Sequence, residues 1–256
     1  MAEALVIVPT YNERENVERL AAELFARAPE VDVLFVDDAS PDGTGEALDR
    51  IATKDRRVRV LHRPRKEGLG RAYLDAFRLA LKCPYRFVLE MDADLSHRPA
   101  EVPRLIEAAR TADLAIGSRY LGGVRVINWP LRRLILSRAA GLFVQAVTGM
   151  PFSDPTSGFK CYRRAALEAL DFDDIRSNGY SFQIETVHRL WRTGFRIVEV
   201  PITFEERREG RSKMSGEIVE EALRVVWRMG VRHAFQRPPR EPPAGSIAGR
   251  PKEGRG

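Results

Sequence analysis

The chain has 256 residues, 44% hydrophobic and 30% charged, the proportions of a soluble globular protein with room for one domain of about 210–230 residues plus appendages, or for two domains. A formal net charge of +6 points to anionic partners: nucleotide phosphates, lipid phosphates or nucleic acid. Leu5–Val8 is too short for a signal-peptide core, no window reaches the ~18 apolar residues of a transmembrane helix, and Cys83 and Cys161 have no metal-ligand spacing and read as packing residues of a reducing compartment.

In chain order, Leu5–Val8 reads as a strand stopped by Pro9, and Asn12 with Glu15 as a capping box that opens a helix. Val17, Leu20, Ala21, Leu24, Phe25 and Ala28 continue that helix at its period. Val31–Val36 is a second strand ending at Asp37 and Asp38; a turn and helix start follow at 39–44, then a third strand at Val58–Leu61. Gly68-Leu69-Gly70 opens a helix with Leu69, Tyr73, Ala76, Phe77 and Ala80 on one face. Phe87–Met91 is a short buried strand that runs into Asp92-Ala93-Asp94; Pro99 starts a helix to about Arg110, and Leu114–Ile116 is a strand ending at Gly117-Ser118-Arg119. Strands alternating with helices of ten or more residues predict an α/β fold, a mainly parallel sheet with helices on both faces.

After Arg119 the composition changes. No acidic residue lies between Asp113 and Asp154, while arginines stand at 119, 125, 132, 133 and 138. A helix over Leu131–Val147 combines apolar residues with Arg132, Arg133 and Arg138; it reads either as an interfacial membrane helix or as a core helix with a basic end. Asp154–Tyr162 is a loop then a strand, Arg164–Leu170 a short helix, Phe182–Trp191 a helix, Arg196–Val200 a strand, and Glu205–Lys213 a basic loop able to fold over phosphates. Glu217–Ala234 is a last helix, and residues 237–256 form a basic Pro/Gly-rich tail expected to be disordered.

The chemistry concentrates at strand ends. Asp92 and Asp94, two residues apart at the end of a strand, place hard oxygens on one side, where a divalent cation takes its other ligands from phosphate and water. A second copy, Asp171-Phe172-Asp173, has no strong strand before it and reads as a solvated turn. Tyr11 and Glu13, Asp37 and Asp38, Asp92 and Asp94, and Arg119 gather at one edge of a parallel sheet, as at a nucleotide site. No P-loop and no Gly-x-Gly-x-x-Gly after a strand is present, so ATPase and dinucleotide readings lose ground. Transfer from a metal-bound nucleoside diphosphate fits best.

Pro9-Thr-Tyr-Asn-Glu13, Val36-Asp-Asp-Ala-Ser-Pro-Asp-Gly-Thr44, Met91-Asp-Ala-Asp94, Gly117-Ser-Arg-Tyr120, Asn128-Trp-Pro130, Asp154-Pro-Thr-Ser-Gly-Phe159, Pro201-Ile-Thr-Phe204 and Ser212-Lys-Met214 resemble the inverting family-2 glycosyltransferases of GT-A fold, most closely the catalytic domain of polyprenol (dolichol) monophosphate mannose synthases, over about residues 4–230. The resemblance implies one GT-A domain over 1–236, with a nucleotide-sugar half over about 1–118 and an acceptor half over about 119–236. It implies that Pro9, Tyr11, Glu13, Val36 and Asp38 line the nucleoside, that Asp92 and Asp94 hold Mg²⁺ or Mn²⁺ and the diphosphate, and that Met91 and Ala93 add backbone contacts. Ser96 stands where several relatives place a glutamine metal ligand, Arg119 and Arg133 face the acceptor phosphate with Arg119 also near the donor, and Arg207 and Lys213 clamp the diphosphate.

The implied reaction joins mannose from GDP-mannose to polyprenyl (dolichyl) phosphate and releases GDP. An acceptor that is already anionic needs no general base, and none is evident in the sequence. The implied setting is the cytoplasmic face of a membrane, held peripherally or through a separate membrane-anchoring subunit, with no nucleic acid. Alternatives are a synthase using UDP-glucose or another nucleotide sugar, a nucleotidyltransferase, and a nucleic-acid-binding module.

Overall fold

The computed structural model describes residues 2–205 and 216–233. Its parallel strands begin with β1 (Ala4–Thr10), β2 (Val31–Asp37), β3 (Val58–His62) and β4 (Phe87–Glu90), linked by helices α1 (Arg14–Arg27), α2 (Thr44–Lys54) and α3 (Leu69–Ala80). A 3₁₀ turn at Pro99–Glu101 leads into α4 (Val102–Arg110), then β5 (Leu114–Ser118), β6 (Val126–Ile127) and α5 (Leu131–Thr148). After a long loop come β7 (Lys160–Arg163), α6 (Arg164–Glu168), α7 (Gly179–Arg192), β8 (Ile197–Pro201), β9 (Phe204–Glu205) and α8 (Gly216–His233).

The main sheet has seven strands in the order β3-β2-β1-β4-β7-β5-β8, and β6 pairs with β9 in a small second sheet. Only β7 is antiparallel to its neighbours, β4 and β5. It therefore starts at the edge where the parallel strands end, which delivers the 154–159 loop to the same edge as Asp92 and Arg119. The alternation of β1 shows why both faces carry helices. Val6 and Val8 join the core under α1, α2 and α4, while Leu5 and Ile7 join the core under α3 and α7. The α/β reading with a mainly parallel sheet holds.

One local expectation is corrected. Glu13, not Asn12, is the N-cap of α1, and no side chain of the capping residue bonds back. Asn12 sits at φ 58 with its N–H on Ser40 Oγ, while Asp42 Oδ2 accepts the Arg14 N–H at 3.3 Å from the neighbouring loop. The helix start is thus capped from outside. α5, for which both an interfacial and a core reading stand, is partly covered: Gly141 and Val144 are buried and Phe143 and Val147 pack on the core, while Leu131, Ile135, Leu136 and Leu142 are exposed. The Asp171–Asp173 turn is solvated as expected, with the Asp173 side chain 92% exposed. Arg207, Arg208, Arg211, Lys213 and the 237–256 tail lie outside the described residues.

The Gly68–Gly70 start of α3 abuts the start of α7. A Cβ on Gly70 would lie 2.5 Å from the Ser177 carbonyl oxygen, and backbone cannot yield there. Gly70→Ala is expected to destabilise the protein by about 1–3 kcal/mol, read as a lower urea midpoint at unchanged slope.

Candidate active site

The carboxyl end of β4 turns sharply. Met91 still donates its N–H to the Ile7 carbonyl at 3.1 Å, and Leu95 then takes φ 62 to reverse the chain. Inside this turn the Asp92 N–H donates to His97 Nδ1 at 3.2 Å, and Asp94 Oδ1 accepts from Ser96 N–H at 3.1 Å and Ser96 Oγ at 2.5 Å. Both carboxylates are held half-exposed by their own loop. Ser96, expected near a metal, is buried and directed at Asp94. Among the described residues no group of three or more His, Cys, Asp or Glu side chains is arranged to hold a metal. The protein thus offers two hard carboxylates and leaves further ligands to phosphate and water, a donor set that suits Mg²⁺ or Mn²⁺ beside a nucleotide.

His97 joins this loop to the basic half. Its ring stacks on Phe159 with centroids 4.8 Å apart and meets Phe204 edge-on at 5.3 Å; Phe204 in turn meets Trp129 at 5.3 Å. Burial pushes the imidazole down to about 4, so it is neutral near pH 7 and accepts the Asp92 N–H.

Arg119 also meets Phe204, its Cζ 5.6 Å from the ring centroid. Its Nε donates to Asp154 Oδ2 at 2.7 Å, and its Nη2 to Asp154 Oδ1 at 2.7 Å and Thr156 Oγ1 at 2.9 Å. The rings of Tyr120, Trp129 and Phe204 surround the guanidinium with centroids 5.4, 5.5 and 5.6 Å from Cζ. Burial opposes the charge, yet Asp154 raises the Arg119 value; burial would likewise raise Asp154, and Arg119 overcomes it to hold that carboxylate below its ordinary value. Asp154 is itself fixed by its backbone N–H on Glu199 Oε1 at 3.0 Å. Among the described residues, Nη1 of Arg119 carries no hydrogen bond. Arg133 lies over the same Trp129 ring at 4.3 Å, and Arg138 over Tyr120 at 4.8 Å.

The residues expected at the nucleoside sit at the ends of β1 and β2. Pro9 pairs in register with Val36, whose side chain is fully buried in the core. Tyr11 carries Lys66 Nζ over its ring at 3.7 Å, and the Glu13 N–H donates to Thr44 Oγ1 at 3.0 Å. Asp38 is buried and its Oδ1 is ion-paired with Arg63, which also binds Asp75 and Glu67 at 2.9 Å each. Burial raises the Asp38 carboxyl despite Arg63. Met91 and Ala93 are buried beneath the carboxylate loop. The structure brings Asp92, Asp94, Ser96 and Arg119 into one contact chain through His97 and Phe204, with Arg133 joined through Trp129.

Sequence reasoning gave no role to His97, Asp154 or Glu199. A lone histidine and a glutamate inside a strand carry no periodic signal. Asp154 carried one in hindsight, as the first acid after the long acid-free stretch.

Residues 5–171 match the family described as Glycosyl transferase family 2. The chain is 51% identical over 227 residues to the undecaprenyl-phosphate mannosyltransferase of Micrococcus luteus, covering 89% of this chain and 93% of the relative. It is 48% identical over 235 residues to the polyprenol monophosphomannose synthase of Mycolicibacterium smegmatis, covering 91% and 89%. A solved structure of glucosyl-3-phosphoglycerate synthase from Mycobacterium tuberculosis, in complex with Mn²⁺, UDP and phosphoglyceric acid, superposes with a TM-score of 0.68 at 17% identity, covering 90% of this chain and 78% of that one.

Proposed function

The chain belongs to glycosyl transferase family 2, and on that premise we propose that it transfers mannose from GDP-mannose to polyprenyl phosphate, with inversion and with a divalent metal. The observation that carries this reading is the contact chain from Asp92 through His97 and Phe204 to Arg119 and Trp129, which sets a metal-diphosphate side against a cationic acceptor side. The similarity to two polyprenyl-phosphate mannose enzymes supports the same acceptor class.

Asp92 and Asp94 would hold a cation, Mg²⁺ or Mn²⁺, with Ser96 steadying Asp94, and a cation bound there would supply charge neutralisation for a diphosphate leaving group. Pro9, Tyr11, Glu13, Val36 and Asp38 form the nucleoside side, Val36 through backbone alone, and Met91 and Ala93 add main-chain support. Arg119 presents Nη1 to the acceptor phosphate, because Asp154 and Thr156 occupy Nε and Nη2. Arg133 on Trp129 is the second cation for that phosphate. Arg207 and Lys213 are proposed to close over the diphosphate. An acceptor phosphate oxygen attacks the anomeric carbon, the bond from that carbon to the diphosphate oxygen breaks, and its electron pair leaves with GDP. The acceptor is already ionised, so no base is required.

The lipid acceptor calls for a membrane surface. Among the described residues no helix is long and apolar enough to cross a membrane. A groove of about 700 Å³ is lined by Phe143, Leu223, Arg224, Trp227, Arg228 and Val231, between α5 and α8. Trp227 is 63% exposed there, and Leu131 is 69% exposed at the start of α5. Apolar side chains interleaved with arginines suit an anionic lipid surface, which supports the reading of a peripheral protein on the cytoplasmic face of a membrane, alone or with a membrane-anchoring partner. The Leu131→Ser/Trp227→Ser double variant is expected to weaken binding to anionic vesicles by at least about tenfold, read by co-sedimentation, with GDP binding unchanged.

The donor is tested by mixing the protein with polyprenyl phosphate, Mn²⁺ and labelled GDP-mannose or UDP-glucose in parallel. Lipid-extractable label from GDP-mannose is expected. Label from UDP-glucose alone would replace the donor and make the enzyme a polyprenyl-phosphate glucosyltransferase.

A further inference from the structure

A second hollow, of about 860 Å³, lies between α7, α8 and the 169–177 segment; neither the carboxylate loop nor Arg119 nor Arg133 lines it. Five arginines do, at 176, 189, 192, 224 and 228, against three acids, Asp171, Asp174 and Glu185. Two of those acids share one arginine: Arg189 Nη2 lies 2.8 Å from Asp174 Oδ2 and 2.6 Å from Glu185 Oε1. Asp171 Oδ1 accepts the Asp173 N–H of its own turn at 3.0 Å. Arg176, Arg192 and Arg228 have no ion pair or hydrogen bond among the described residues, and Arg192 is half-buried. A guanidinium partly withdrawn from water without a counter-ion loses hydration and regains nothing, and an anion in the hollow would supply both charge and acceptors.

The pattern of α8 narrows the kind of anion. Leu223, Trp227 and Val231 recur at helical spacing, are exposed, and line the apolar groove shared with Phe143 of α5. Arg224 and Arg228, each the next residue along, line both that groove and the arginine-rich hollow. One row of arginines therefore separates an apolar trough from a cationic one. A free phosphate or a nucleotide would use the cationic side alone, whereas an amphiphile with an anionic head fits both.

We propose that the hollow binds the phosphate headgroup of an anionic membrane phospholipid, held by Arg176, Arg192 and Arg228, while an acyl chain passes over the Arg224–Arg228 row into the groove between α5 and α8. A guanidinium fork matches phosphate oxygens in pairs, which a diffuse basic surface does not. The proposal deepens the peripheral membrane reading and rests on it: a held headgroup fixes how α8 lies on the bilayer, beyond general attraction to its charge. This lipid is not the acceptor, whose phosphate is assigned to Arg119 and Arg133, and it is not consumed.

The test titrates the full chain with dihexanoyl-phosphatidylglycerol below its micelle concentration and with glycerol 3-phosphate, and pellets it with phosphatidylcholine vesicles with and without phosphatidylglycerol. Two double variants are compared with wild type: Arg176→Gln/Arg192→Gln in the hollow, and Arg125→Gln/Arg132→Gln, which removes the same charge outside it. Wild type is expected to bind the short-chain lipid saturably, at least about tenfold more tightly than glycerol 3-phosphate, because only the lipid reaches the groove. The hollow pair is expected to weaken that binding about tenfold or more at an unchanged melting temperature, and the outer pair to stay within about twofold of wild type. Glycerol 3-phosphate bound as tightly as the lipid would make the hollow a free-phosphate site and overturn the proposal. Equal losses in the two pairs, the mark of general charge attraction, would also overturn it, as would a lower melting temperature in the hollow pair, the mark of a structural role. Wild type that pellets with neither kind of vesicle would sink the peripheral reading and the proposal with it. Wild type that pellets with phosphatidylglycerol while the hollow pair binds and pellets like it would sink the proposal alone.

Discussion

Asp94→Ala is expected to lower mannosyl transfer by at least about a thousandfold, since a metal-bound diphosphate leaving group draws several kcal/mol from its cation and each 1.36 kcal/mol is tenfold in rate. Alanine also removes the acceptor for the Ser96 N–H and Oγ. The partner variant Asp94→Asn separates the two effects. Its amide oxygen still receives both Ser96 donors, so the turn survives while the charge is gone. Activity is expected to be nearly as low in Asn as in Ala, with melting temperatures measured without metal close to wild type for Asn. An Asn variant with near wild-type rate would show that Asp94 only shapes the turn.

The second large effect lies at the arginine clamp. Arg119→Lys is expected to reduce kcat by about 10²–10³, because one ammonium cannot make the fork to both Asp154 oxygens and still reach a phosphate. Asp154→Asn acts differently. It leaves the Arg119 charge buried without its counter-ion, and a stability loss of about 3–5 kcal/mol is expected in urea. Replacing both by apolar residues of similar volume, Arg119→Met with Asp154→Leu, is expected to recover most of the stability and none of the activity. Recovery of transfer by that pair would remove Arg119 from the reaction.

The sheet was legible because its strands are short apolar runs between helices of the right period. The strand-end acids were legible because position on such a sheet is itself a signal. The antiparallel insertion of β7 was not, since a four-residue strand reads alike in either direction. The start of α1 was misread because its cap comes from Asp42, 28 residues away in sequence. Asp38 is ion-paired with Arg63, a partner that spacing cannot reveal. The mixed apolar and basic pattern of α5 left two readings open, because a sequence does not show which apolar side chains a neighbouring element covers; Leu131, Ile135, Leu136 and Leu142 are exposed and Val144 is buried. His97 gains its meaning only from a neighbour distant along the chain, Phe204.

The most direct measurement is a single turnover of purified protein with GDP-mannose and polyprenyl phosphate, with and without Mn²⁺, the product's anomeric configuration being read by NMR. The expected product is the inverted, β-linked mannosyl phosphate lipid, formed only with metal and not by Asp94→Ala. An α-linked product, or equal turnover in excess EDTA, would contradict direct displacement at a metal-bound donor held by Asp92 and Asp94.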